Sequence, residues 1–128
     1  MLTLIDTSIW IDYFKGNATD LDHLIDSNLL ATNDVILAEL VPALRLRGEH
    51  ELVNLLNEVK CFQLNIDWEN IMQMQLTCMQ SGANGIGLPD LIIAQNALHN
   101  KSKVYSKDKH FRLMGRILGL PIYPSEPH

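Results

Sequence analysis

Four acidic residues in this 128-residue chain stand where chemistry is possible: Asp6, Glu39, Asp90 and Asp108. Asp6 is the first charge after the apolar run Leu2-Thr3-Leu4-Ile5. Asp108 comes two residues after Lys103-Val104-Tyr105-Ser106, which reads as a fourth strand. Short apolar runs that stop at polar clusters suit strands buried on both faces. Both aspartates are therefore expected at the carboxyl ends of strands, the edge where open α/β sheets bind ligands. Glu39 and Asp90 fall on helices that can border the same crevice. Other acids, such as Asp20, Asp22, Asp26, Glu49 and Glu51, lie on polar faces and read as solvated. Carboxylates brought together repel and raise each other's pKa, so a fold that gathers four of them calls for a cation. All-oxygen donors select magnesium or manganese over zinc. Such ions serve phosphoryl chemistry by holding the phosphate, activating water and stabilising the leaving oxygen. Taken alone, Asp6 reads equally well as the cap of the helix that follows it.

The elements that must position these groups can be read in order. Thr7 and Ser8 are expected to cap a helix carrying Ile9, Trp10 and Tyr13. Lys15-Gly16-Asn17 stops it. Leu21, Leu24 and Ile25 mark a short amphipathic helix, and Leu29-Leu30-Ala31-Thr32 a second strand. Asn33 or Asp34 caps a third helix with Ile36, Leu37, Leu40, Val41 and Leu44 inward; Pro42 is expected to bend it. Gly48 ends that helix, and Leu52, Val53, Leu55, Leu56 and Val59 carry the next. Cys61-Phe62-Gln63-Leu64 is a third strand candidate. Asp67 caps a long helix through Trp68, Ile71, Met72, Leu76 and Met79, with Met72, Met74 and Met79 expected as core filler. The glycine-rich stretch from Ser81 to Pro89 has no Gly-Lys-Ser/Thr and is no Walker phosphate loop. Pro89 suits the first position of a helix whose first turn carries Asp90. A last helix carries Phe111, Leu113, Met114, Ile117 and Leu118, and residues 120–124 give a terminal strand. Ser125 to His128 are expected to fray. Short strands alternating with helices predict an α/β fold: a central parallel sheet of four to five strands, covered by helices on both faces.

Length and composition fit one domain spanning residues 1–128, with 47% apolar residues for its core. No run approaches the ~20 apolar residues of a membrane span, and the start lacks a signal-peptide pattern. Cys61 and Cys78 lie outside any metal-binding pattern and read as buried thiols of a cytoplasmic protein. The net charge of −5 argues against a general nucleic-acid coat protein. Yet Lys101, Lys103, Lys107, Lys109, Arg112 and Arg116, six of the ten basic residues, fall within sixteen positions, with His99 and His110 beside or among them. Such a patch is either a solvated surface or an RNA-facing edge. Lys107 and Lys109 flank Asp108, so with Arg112 they are the candidates for RNA phosphates.

Four segments together resemble the PIN-domain ribonucleases, and most closely the VapC-like toxins of type II toxin–antitoxin systems. They are Leu4-Ile5-Asp6-Thr7-Ser8, Leu37-Ala38-Glu39-Leu40, Gly87-Leu88-Pro89-Asp90-Leu91-Ile92-Ile93-Ala94, and Tyr105-Ser106-Lys107-Asp108-Lys109-His110-Phe111. Each is weak alone; their order and spacing over nearly the whole chain are specific. The resemblance implies that Asp6, Glu39, Asp90 and Asp108 surround one or two Mg2+ (or Mn2+) ions and that the protein hydrolyses RNA phosphodiesters. It also implies that Ser106 lies beside the metal site, with Thr7 as a further supporting residue. A homodimer and a small antitoxin partner are implied as well. Gln95 and Asn96 depart from the small residues usual after Ala94, which is expected to alter packing or the groove lining. Two other readings compete. A haloacid-dehalogenase-like phosphatase needs a second Asp two positions after Asp6, where this chain has Ser8, and a receiver domain fits still less well. A catalytically inactive PIN scaffold that only binds a partner is the other; the presence of all four acids counts against it.

Overall fold

The computed structural model describes residues 1–124, so the tail expected to fray lies outside the described residues. The chain runs β1 (Thr3–Ile5), α1 (Thr7–Phe14), α2 (Leu21–Asp26), β2 (Leu30–Thr32), α3 (Asp34–Leu46), α4 (His50–Glu58), β3 (Lys60–Cys61), α5 (Trp68–Gln80), α6 (Leu88–His99), β4 (Lys103–Tyr105), α7 (Lys109–Leu118) and β5 (Ile122–Tyr123). The five strands form one sheet in the order β3-β2-β1-β4-β5, and every pairing is parallel. In register, Leu4 lies opposite Ala31 on one side and Val104 on the other. Thr3, Leu4 and Ile5 are all buried, as are Leu30, Ala31 and Thr32. Successive strand side chains point to opposite faces, so helices must cover both, which is why these runs show no alternation.

The capping pattern is partly as expected. Asn33 caps α3 by accepting from the Ile36 amide, and Asp67 caps α5 by accepting from the Asn70 amide. Thr7 and Ser8, however, lie inside the first turn of α1, and Asp6 holds the cap position. α3 continues through Pro42 to Leu46. Pro89 is the second residue of α6, after Leu88. The third strand begins at Lys60 and ends at Cys61, short of the expected residue 64. Cys61 is exposed on this edge strand; only Cys78 is a buried thiol.

The largest departure is the rotation of α5. Ile71, Met74 and Cys78 face the core, whereas Trp68, Met72, Leu76 and Met79 are 54%, 59%, 47% and 53% exposed. This helix carries two apolar stripes, and periodicity alone cannot say which turns inward. Gln95 decides it. Its side chain, 2% exposed, bonds both the amide and the carbonyl of Asp67 and the side chain of Asn70, and Asn70 shares a face with Met74. Asn96, equally buried, donates to the carbonyl of Gln63 and accepts from the side chain of Asn33. These two residues therefore lock α6 to the β3–α5 connection and to the start of α3. Their departure from small residues thus serves packing between these elements.

Candidate metal centre

From β1 the chain steps outward through β2 to β3, then returns to place β4 on the other side of β1. The segments leaving the carboxyl ends of β1 and β4 therefore diverge, and the crevice between them is the switch point where open sheets bind ligands. Asp6 leaves β1 there, its amide bonded to the carbonyl of Tyr105 at the end of β4, 2.9 Å away. Its side chain is 7% exposed and makes no capping bond to α1. Instead Asp6 Oδ2 accepts from the Ser106 hydroxyl at 2.7 Å and from the Ser8 hydroxyl at 3.1 Å. Asp6 thus caps α1 through its backbone alone, and its side chain is turned to the two serines instead. Both hydroxyls also accept: Ser8 Oγ from the Lys107 amide of the opposite segment, and Ser106 Oγ from the Asp108 amide within its own. Two serines stitch the β1 exit to the β4 exit and hold Asp6 between them.

Asp90 enters from the first turn of α6, and Asp108 caps α7 by accepting from the His110 amide at 2.9 Å. Burial pushes the Asp90 carboxyl above the ordinary carboxylate range. His110 pulls the other way, and the charges of Asp108 and Asp6 add to the rise. The charges of Asp6 and Asp108 are thus both felt at Asp90. Asp90, Asp108 and His110 each present a donor atom within 4.8 Å of the other two. Glu39 lies further out: it is exposed, outside that group of three, and its Oε2 accepts from the Thr7 hydroxyl at 3.1 Å. Thr7 thereby links Glu39 to the turn that carries Asp6. The donor set, carboxylates with one imidazole and a raised Asp90 carboxyl, fits a divalent cation that would relieve the gathered charge. Asp90 and Asp108 would hold it; Asp6, like Glu39, lies outside that group of three.

Ser8 and His110 were not among the expected site residues. Ser8 shows a usable signal, a hydroxyl two positions past a strand-terminal Asp, where the first helical turn can fold back on it. His110 shows another, its place in the first turn after the cap residue Asp108.

The basic run does not form one surface. Lys101 and Lys103 lie at the start of β4, the end remote from Asp108, and Lys103 Nζ sits 5.8 Å from the centre of the Tyr123 ring. Lys107 is paired with Asp12 of α1 at 2.8 Å. Lys109, Arg112 and Arg116 remain together along α7 and, with Leu113, line a shallow cleft of about 260 Å³. A second groove of about 320 Å³ runs between α1, α3 and α4, with Glu39 on its rim and Ile11, Phe14, Leu40, Leu44 and Leu52 in its walls.

The sequence model of the PIN domain matches residues 3–117. The chain belongs to the PIN-domain family. A phosphatase of the haloacid-dehalogenase type is thereby set aside, consistent with Ser8 serving as a donor to Asp6. The fold is similar to chains in three solved structures. DNA-bound VapBC from Salmonella typhimurium gives a TM-score of 0.76 at 18% identity, over 95% of this chain and 97% of that one. VapBC2 from Rickettsia felis, bound to a DNA fragment from its promoter, gives 0.73 at 17% identity, over 95% and 97%. VapBC-1 from nontypeable Haemophilus influenzae gives 0.72 at 22% identity, over 95% and 96%. No curated protein is similar enough in sequence to count as a match. Among the described residues, no helix is long and apolar enough to cross a membrane.

Proposed function

We propose that this PIN domain is a divalent-metal-dependent endoribonuclease of the cytoplasm and the toxin of a toxin–antitoxin pair. The observation that carries the reading is the approach of Asp90 and Asp108 at the switch point of a PIN fold, with the charge of Asp6 also felt at Asp90. A bound Mg2+ or Mn2+ would supply Lewis-acid polarisation of the phosphodiester and a water of lowered pKa. The chain's own residues do the rest. Ser8 and Ser106 hold the Asp6 carboxylate in one orientation, and Thr7 holds Glu39 at the rim. Lys109 and Arg112 meet phosphates beside the cut, whereas Lys107 must first leave Asp12 to do so. The products carry a 5′-phosphate and a 3′-hydroxyl.

Two partner surfaces support the toxin assignment. The groove beside Glu39 joins apolar walls to charges of both signs, Glu39 and Glu49 with Lys15 and Arg47, which suits an antitoxin segment of apolar or aromatic residues flanked by charged ones. The similar folds were solved as VapBC assemblies, which favours a partner of this kind. The exposed stripe of α5 suits a second copy of the chain. It is uncharged, and an isologous contact sets each face against itself without like-charge repulsion.

Cleavage of single-stranded RNA by the purified chain tests the reading. Activity is expected in magnesium or manganese, abolished by chelator, and reduced about a hundredfold or more in Asp6→Asn. Cleavage that survives both treatments would overturn it. A chain that binds neither ion is the inactive scaffold instead.

A further inference from the structure

His110 stands at the second position of α7 with its ring 24% exposed. Its Nδ1 lies 3.4 Å from Asp90 Oδ2 and 3.5 Å from Asp108 Oδ1. Those carboxylates come from different elements, the first turn of α6 and the cap of α7, and they meet at one ring nitrogen. Hydrogen bonding accounts poorly for the arrangement. Good N–H···O bonds run about 2.7–3.2 Å, and a single N–H shared between two oxygens bonds each of them only weakly. The spacing does match donor atoms that share an ion. Metal–donor bonds of about 2.0–2.2 Å place neighbouring donors roughly 3.0–3.5 Å apart. The ring is also held in place from behind, because the His110 amide donates to the same Asp108 oxygen at 2.9 Å.

We propose that His110 Nδ1 is a ligand to the ion held by Asp90 and Asp108, and that it biases this site toward manganese over magnesium. The inference rests on the metal-nuclease reading above and adds a nitrogen donor to what the carboxylates provide. In the liganded tautomer the proton sits on Nε2, leaving the Nδ1 lone pair for the ion. Imidazole is a softer donor than carboxylate and suits first-row transition ions, whereas magnesium keeps to oxygen. The alternative role for His110 is to orient Asp90 from outside the coordination shell, which would lower affinity for both ions alike.

The test uses the full chain with MnCl2 or MgCl2 alone, titrated by calorimetry on wild type, His110→Asn and Asp90→Asn. Pulsed electron paramagnetic resonance of the manganese-loaded wild type adds a spectroscopic readout, since a directly bound imidazole gives nitrogen modulation. The expected result is nitrogen modulation in wild type and none in His110→Asn. Manganese affinity should fall about tenfold or more in that variant, and magnesium affinity by less. The wild-type spectrum needs no variant, so a poorly folded His110→Asn would not blunt the test. Manganese binding that depends on Asp90 but shows no nitrogen modulation would overturn the role of His110 and leave the metal-nuclease reading standing. Equal losses for both ions in His110→Asn, again without modulation, would assign it the outer role. Failure of wild type to bind either ion would remove the nuclease reading, and this inference with it.

Discussion

Asp90 is under two opposing demands. It sits in the first turn of α6, where a carboxylate suits the helix dipole, yet burial and the neighbouring Asp108 and Asp6 charges disfavour its ionised form. The sign of the consequence follows from linkage. With the folded pKa above the unfolded one, the carboxylate costs the fold nothing while both states are protonated. It costs progressively more as pH rises from the unfolded value through the folded one. Asp90→Asn removes that charge and keeps the shape. In chelator at neutral pH the variant is therefore expected to melt above wild type, with the difference vanishing in acid. In millimolar magnesium or manganese the gap should shrink or reverse, because an ion that binds only the folded state stabilises wild type more. Melting curves in both buffers check this. A variant less stable by the same ~0.3–1 kcal/mol in each would mean that Asp90 is only a first-turn helix residue.

At the scale of elements, α6 and α7 carry the testable consequences. Asn96 bonds two partners from its buried place on α6, so Asn96→Ala strands the Asn33 amide group and the Gln63 carbonyl. A loss of about 1–3 kcal/mol is expected in denaturant melts, without loss of metal binding. On α7, Lys109 and Arg112 share an exposed face. Removing one cation that pairs with a phosphate should flatten the salt dependence of single-strand binding by roughly 0.7 in log–log slope. Lys109→Ala with Arg112→Ala should flatten it by about twice that; an unchanged slope would make the face a solvated one. Lys101→Ala, at the far end of β4, should leave the slope unaltered. These elements also show what the bare sequence could and could not tell. β1 and β2 were legible because residues buried on both sides leave short, largely apolar runs, and Asp6 was legible because the first of them ends at it. The rotation of α5 was hidden, since Trp68, Met72, Leu76 and Met79 make as good a stripe as Ile71, Met74 and Cys78. The choice between them lies in Gln95, one helix away. The split of the basic run was hidden too. Lys101 and Arg116 are close in sequence, but β4 carries the chain across the sheet between them.

For the molecule as a whole, the uncharged apolar stripe on α5 predicts self-association. Light scattering at micromolar concentration should give a dimer mass, and Met72→Glu with Met79→Glu should give a monomer that still melts cooperatively. A wild-type monomer under those conditions would count against the contact. The order in which the chain leaves the ribosome adds a consequence of another kind. The groove beside Glu39 is built wholly from residues 11–52. The crevice also needs Asp90, Ser106 and Asp108, and β1 pairs with β4 about a hundred residues later. Synthesis proceeds at roughly 5–20 residues per second, so seconds separate the emergence of the groove residues from that of the last carboxylate. On the nuclease reading proposed above, a growing chain would have no complete site for cutting RNA until Asp108 has left the ribosome.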